Sequence, residues 1–160
     1  LCSIYPQVVL TLDGGEVPYN ISDEWTLASG DVVDYQYAIF VKNVKGVLGL
    51  QIHARNQKIE FTPGNEEYTF KINDEETSVS RLYNGTYVPE GSMFWSLKMT
   101  KWGETNSIEL RNLPVQVIHS LNSVSLLVGN DLQGKIAGLC GILDGRYKNK
   151  IPNEYRFIGA

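Results

Sequence analysis

Short segments in which apolar and polar residues alternate recur along the whole chain, and glycine-, proline- or asparagine-rich turns separate them. The turn signals return about every 8–12 residues, the spacing typical of an antiparallel sandwich or barrel. Successive side chains of a strand point to opposite faces of its sheet, so the alternation indicates strands with one buried face. The pattern predicts strands at 8–12, 37–41, 47–52, 58–61, 68–72, 79–83, 93–99, 107–111, 115–119 and 124–128.

Helical periodicity is scarce, and only residues 133–140 could form a short helical turn, which the neighbouring glycines weaken. A chain of 160 residues without a linker or a repeat suits one compact domain. We therefore predict a single all-β domain over 1–160, an antiparallel β-sandwich with short helical turns near its C-terminal end. The inward positions of the strands predict a core of Val9, Ile39, Val41, Leu48, Leu50, Ile59, Phe61, Phe70, Leu97, Val117 and Leu126.

The charge balance and the hydropathy pattern restrict the partners. The chain has 14 basic and 18 acidic residues and a net charge of −4, whereas a nucleic-acid-binding surface needs clustered cations. No apolar run approaches the ~18 residues of a membrane-spanning helix. We expect neither a nucleic-acid partner nor a transmembrane segment.

The sequence offers few groups for catalysis. Hydrolytic or redox chemistry needs a nucleophile, a base and an orienting group. The two histidines, His53 and His119, both lie in alternating strand segments, where a hydrogen-bonded or half-exposed strand residue is the more economical interpretation. Nucleophile-elbow, phosphate-loop and zinc-protease motifs are absent from the sequence. We expect a protein that is not an enzyme.

The two cysteines, Cys2 and Cys140, lie near opposite ends of the sequence. They could be two buried free thiols, since cysteine packs well as a small hydrophobe, or they could form one disulfide. Two Asn-X-Ser/Thr sequons, at Asn20 and Asn84, are potential glycosylation sites and agree with a secretory route. Together these features favour a secreted, extracellular protein.

The most informative stretch is Gly-Leu-Cys-Gly-Ile-Leu-Asp-Gly at 138–145, a glycine-rich turn around Cys140. It resembles the Gly-Leu-Cys-Gly signature of von Willebrand factor type D domains. Cys2 and the Thr-Leu-Asp-Gly run at 11–14 are similar to that family's opening cysteine, strand and turn. The segments 114–128 and 153–157 resemble its penultimate hairpin and its closing run. This resemblance covers essentially the whole chain and implies a sandwich of that type with a Cys2–Cys140 disulfide.

Within that family the chain is most similar to the C-terminal module of large lipid transfer proteins: vitellogenins, apolipophorins and arthropod clotting proteins. The Val-Pro-Tyr-Asn-Ile run at 17–21 and Phe40-Val41-Lys42 support this, as does the low number of cysteines. The resemblance implies a structural or assembly module that contacts other domains of its parent protein and serves lipid transport or yolk storage. Lipid would be bound through the parent protein. The alternative is an adhesion, clotting or gel-forming module of a matrix or mucin-like protein.

The resemblance also leaves calcium open as a cofactor, because many family members bind it beside the Asp-Gly turn and the Gly-Leu-Cys-Gly turn. Calcium needs about 6–8 oxygen ligands. Ile142 stands where the family has an asparagine ligand, and the cations Arg146, Lys148 and Lys150 lie nearby in the sequence. These departures weaken the site. The candidate ligands that the resemblance implies are Asp13, Asp144, Asn149, Asn153 and Glu154.

Overall fold

A computed structural model describes residues 1–54, 56–64, 68–77, 85–89, 94–103 and 105–145. Strands occupy most of these residues, and every paired strand is antiparallel to its neighbours. The first eight strands are β1 (Cys2–Tyr5), β2 (Val8–Leu10), β3 (Glu16–Pro18), β4 (Thr26–Asp31), β5 (Tyr37–Val44), β6 (Val47–Ala54), β7 (Gln57–Pro63) and β8 (Tyr68–Ile72). The others are β9 (Glu75–Glu76), β10 (Thr86–Tyr87), β11 (Leu97–Trp102), β12 (Thr105–Leu110), β13 (Val115–Ser120), β14 (Ser123–Val128) and β15 (Ile136–Ala137).

The strands form two antiparallel sheets. The first has eight strands in the order β10-β11-β12-β13-β14-β1-β2-β3, and the second has seven in the order β15-β4-β5-β6-β7-β8-β9. Most neighbours are consecutive in sequence, whereas β1 joins β14 and β15 joins β4 across long stretches of chain. The all-β, two-sheet sandwich predicted from the alternation is therefore confirmed.

The core lies between the two sheets and follows the period-two pattern. In β5, Tyr37, Ile39 and Val41 are buried, while the alternate residues Ala38, Phe40 and Lys42 are partly exposed on the outer face. Each of the predicted core residues is at most 4% exposed, which confirms that set. Packing many aliphatic side chains into one dry layer is the main stabilising contribution that such a sandwich has.

The strand predictions hold best for the central hairpins. The strands at 37–41 and 47–52 are found as β5 and β6, joined at Lys45 and Gly46, both of which have positive φ as a tight hairpin turn requires. The predicted strand 79–83 lies outside the described residues. The predicted strand 93–99 is wrong in extent, because β11 begins at Leu97.

The helical turn expected at 133–140 is wrong. A 3₁₀ turn lies just before it, at Asn130–Leu132, and Ile136–Ala137 form β15 on the edge of β4. The physical reason is that strand pairing satisfies the backbone of this segment, while Gly134 and Gly138 adopt positive φ and interrupt any helix. Among the described residues, the helical turn near the C-terminal end is the 3₁₀ turn at Asn130–Leu132.

Candidate functional site

A disulfide joins Cys2 of β1 to Cys140, with the two Cα atoms 5.7 Å apart. Both residues are fully buried, and Cys2 is paired with Leu126 in the eight-stranded sheet. The bond places the glycine-rich segment 138–145 against the opening strands. We call Cys2, Leu12, Asp13 and the segment 138–145 the disulfide corner. The pairing implied by the family resemblance is confirmed.

The other side of the disulfide corner is bonded to the seven-stranded sheet. The backbone amides of Leu139 and Cys140 donate to the carbonyl oxygens of Leu27 and Ala28, at 3.0 and 2.9 Å. A shift in the pairing of β4 with β5 between Leu27 and Ser29 marks a bulge at this point. The carbonyl of Cys140 accepts a bond from the amide of Leu12 at 3.0 Å. Cys140 is therefore fixed from three directions.

Close approach of backbones explains two of the glycines in this turn. A Cβ atom at Gly138 would lie 2.6 Å from the carbonyl oxygen of Ala28, a distance that real contacts do not show, and φ there is +123°. Gly141 has φ +91°, and its Cβ would lie 3.2 Å from Oδ2 of Asp13. Only glycine lets the turn reach β4 and Asp13 without strain.

Asp13 is positioned by the turn between β2 and β3, and it holds the end of the disulfide corner. Its Oδ1 accepts a hydrogen bond from the amide of Gly145 at 2.7 Å. The structure therefore brings the segments carrying Asp13 and Asp144 together, as the resemblance implies. An ionised carboxylate that accepts a backbone amide forms one of the stronger hydrogen bonds in proteins.

The described residues do not by themselves make a calcium site. Among them there is no group of three or more His, Cys, Asp or Glu side chains that could hold a metal ion. Asp13 already accepts an amide, and position 142 carries a hydrocarbon side chain. The remaining candidates, Asn149, Asn153 and Glu154, lie outside the described residues.

The two sequons differ in what the structure describes. Asn20 is exposed in the chain that follows β3, where a glycan could be attached. Asn84 lies outside the described residues. Glycosylation at both positions stays a prediction.

His119 lies in the core. Its Nε2 donates to the carbonyl of Leu48 across the two sheets at 2.8 Å, and its ring contacts Phe61 and Tyr68. Nδ1 is buried without a partner among the described residues. Burial lowers the pKa of His119, and its bond to Leu48 opposes this only in part.

Sequence reasoning missed β4, although its carbonyls hold the disulfide corner. All six of its residues are buried, and they mix small, polar and apolar types without alternation. The usable signal was the Gly30-Asp31 pair after Thr26 and Leu27, which is too weak to identify a strand. The hydrogen bonds that the carbonyls of Leu27 and Ala28 accept involve the backbone, which is the same for every residue type, so the sequence does not predict them.

None of the described helical residues forms a helix long and apolar enough to cross a membrane. Among protein-family models none matches this chain, and no curated protein matches it significantly, so the family resemblance rests on the residues of the chain itself.

Proposed function

We propose that the chain is a non-enzymatic structural module of the von Willebrand type D kind, belonging to a large, secreted lipid transfer protein. In this role it packs against other domains of the parent protein, which carries lipid for transport or for yolk storage. The module itself supplies a rigid, disulfide-closed β-sandwich.

The observation that carries the proposal is the use of both cysteines in one intrachain bond. The sequence has two cysteines, and Cys2 and Cys140 are bonded to each other. A module that builds disulfide-linked networks needs further thiols to pair with other chains. This favours an intramolecular role over the gel-forming alternative.

The arrangement around the bond supports the same role. The disulfide corner joins the eight-stranded sheet, through Cys2, to β4 of the seven-stranded sheet. A crosslink at such a junction stabilises the relative position of the two sheets. A stable scaffold is what a packing module has to supply to its neighbours.

Isolation of the natural protein tests the proposal. An antibody raised against the 160-residue chain would be used to purify the protein from extracellular fluid, followed by gel electrophoresis with and without reductant and by lipid extraction. We expect one long polypeptide that carries bound lipid. Its apparent size on the gel should not fall to that of a smaller subunit when reductant is added. A lipid-free, disulfide-linked multimer that collapses on reduction would overturn the proposal in favour of a gel-forming protein.

A further inference from the structure

A cleft of about 490 Å³ opens on the outer face of the seven-stranded sheet, between the loop after β4 and the residues Asn56 and Gln57. Its lining includes the apolar side chains of Leu27, Ala38 and Phe40 together with Tyr35 and His53, and also polar and charged side chains such as those of Gln57 and Lys58. Small-molecule sites are typically clefts of roughly 300–1,000 Å³ with an apolar lining and a few fixed polar groups. The volume of this cleft lies in that range, and its lining combines an apolar part with fixed polar groups such as His53.

His53 is held in place by a chain of buried polar side chains. Its Nε2 is 2.7 Å from Oε1 of Gln51, and Nε2 of Gln51 donates to Oε1 of Glu60 at 2.8 Å. Gln51 is fully buried and Glu60 is 9% exposed. Such a connected network is costly to desolvate, and it fixes the orientation of every group in it.

The network also determines which nitrogen of His53 carries the proton. An ionised carboxylate can only accept, so Gln51 must turn its amide nitrogen to Glu60 and its oxygen to His53. That oxygen needs a donor, which makes Nε2 of His53 the protonated nitrogen. In the neutral ring Nδ1 is then a hydrogen-bond acceptor.

The neutral form of His53 is the favoured one at pH 7. Partial burial lowers the pKa of His53, and the nearby Lys58 lowers it further, while Asp74 and Glu60 oppose the change. Among the described residues that line the cleft, the charged ones are already engaged: Lys58 is paired with Asp74, and Asp31 binds backbone amides. An ion entering the cleft would find these two counter-charges occupied.

The loop on one side of the cleft is preformed. Both carboxylate oxygens of Asp31 take part, accepting bonds from the amides of Val33, Asp34 and Gln36 at 3.0, 3.0 and 3.3 Å. Burial alone raises the pKa of Asp31, but these three bonds and the charge of Lys135 together outweigh it and lower the pKa. The loop holds Tyr35 at φ +54° with its side chain 81% exposed. A preformed wall reduces the entropy cost of binding.

We propose that this cleft binds an uncharged aromatic alcohol, whose ring lies against Phe40 and whose hydroxyl donates to Nδ1 of His53. The aromatic ring of Phe40 already meets the His53 ring edge-on, with centroids 5.4 Å apart. The ring of the ligand would be a third ring beside these two and would form an aromatic cluster with them. This site goes beyond the structural role proposed above.

Nuclear magnetic resonance of the 160-residue chain tests the site with p-cresol as the probe and toluene, which lacks the hydroxyl, as its match. We expect long-range proton–nitrogen spectra to show His53 as the Nε2–H tautomer. Titration with p-cresol should shift the Nδ1 signal of His53 and leave that of His119, inside the core, unchanged. Toluene should bind roughly three- to ten-fold more weakly, because one hydrogen bond is missing.

Two variants separate the contribution of the hydrogen bond to His53 from that of the ring contact with Phe40. His53→Phe removes the acceptor and should bring the affinity for p-cresol down to that for toluene. Phe40→Ala leaves the polar network intact and should weaken both probes together. An Nδ1–H tautomer for His53, the absence of a p-cresol shift up to its solubility, or equal binding of both probes would each overturn the proposal.

Discussion

A single missing β-carbon lets the turn that carries Cys140 reach β4. Gly138 lies where the chain passes the carbonyl of Ala28, and the amide of Leu139, one residue later, bonds to Leu27. A side chain at this position would have to displace backbone rather than a flexible neighbour. The structural reason for the first glycine of Gly-Leu-Cys-Gly is therefore a contact with a strand distant in sequence.

Replacing Gly138 by alanine should destabilise the protein by on the order of 2–4 kcal/mol, because both the contact and the positive φ penalise the new Cβ. The matched control is Gly134→Ala, where φ is +73° but nothing lies within 4 Å. It should cost only about 1 kcal/mol, from the conformation alone. Urea denaturation of both variants gives the comparison, and equal losses would contradict the contact argument.

His119 gives the fold a dependence on pH. Burial lowers its pKa below the ordinary 6.5, so the unfolded chain takes up a proton more readily than the folded one. Stability from this residue is present above pH 6.5 and is lost as the pH falls from 6.5 towards the lowered value. The slope can reach about 1.4 kcal/mol per pH unit for one proton.

The variant His119→Phe tests this dependence. It removes the titrating group and keeps a ring in the core, and Tyr68 still donates to the carbonyl of Leu48. Unfolding free energies measured from pH 7.5 to 4.5 should fall less steeply in the variant. A residual slope is expected from His53, whose pKa is also lowered. Parallel curves for the two proteins would show that His119 does not titrate on unfolding.

At the scale of single elements, the sequence predicts strands where apolar, β-branched and aromatic residues are grouped beside a turn signal, and fails where they are not. β5 and β6 are such segments, so their hairpin and its Lys45-Gly46 turn were predictable, although residues 48–52 of β6 are all buried. β4 is buried on all its residues because β5 flanks one edge while β15 and the disulfide corner cover the other. The cysteine pairing followed from the family resemblance, whereas the carbonyls that hold Cys140 depend on tertiary pairing alone.

The turns after β2 and around Cys140 carry Asp13 and Asp144, the two described residues among the calcium candidates. We expect no binding to metal-stripped protein at millimolar calcium, because Ile142 offers no side-chain oxygen where the resemblance requires a ligand, and its backbone carbonyl accepts the amide of Gly134. Isothermal titration calorimetry of the native chain and of Asp144→Ala checks this. Micromolar binding that is lost in the variant would contradict the expectation and would establish a retained site.

For the whole molecule, the disulfide adds a long-range constraint to a sandwich whose sheets are also held by apolar packing and by hydrogen bonds such as that of His119 to Leu48. The bond closes a sequence separation of 138 residues. In the chain-entropy model a loop of this length stabilises the folded state by about 5 kcal/mol, through the freedom that the unfolded chain loses. Because the closed loop contains every strand between Cys2 and Cys140, the crosslink restricts the unfolded state of all of them.

A double variant, Cys2→Ala with Cys140→Ala, should lose ~2–5 kcal/mol of unfolding free energy. Reductant should destabilise the native chain by a similar amount and leave the double variant unaffected. Thermal denaturation monitored by circular dichroism, with and without reductant, measures both. A native chain indifferent to reductant at full reduction of its thiols would contradict the expected contribution.

The same bond sets how the molecule responds to tension. The Cα atoms of Cys2 and Cys140 are 5.7 Å apart, whereas the chain between them would extend to about 450–500 Å if it were unravelled. A pull applied outside the two cysteines travels through the covalent sulfur bridge and does not load the strands. Under force the sandwich behaves as a short, inextensible link for as long as the bridge is oxidised, and reduction converts it into an extensible one.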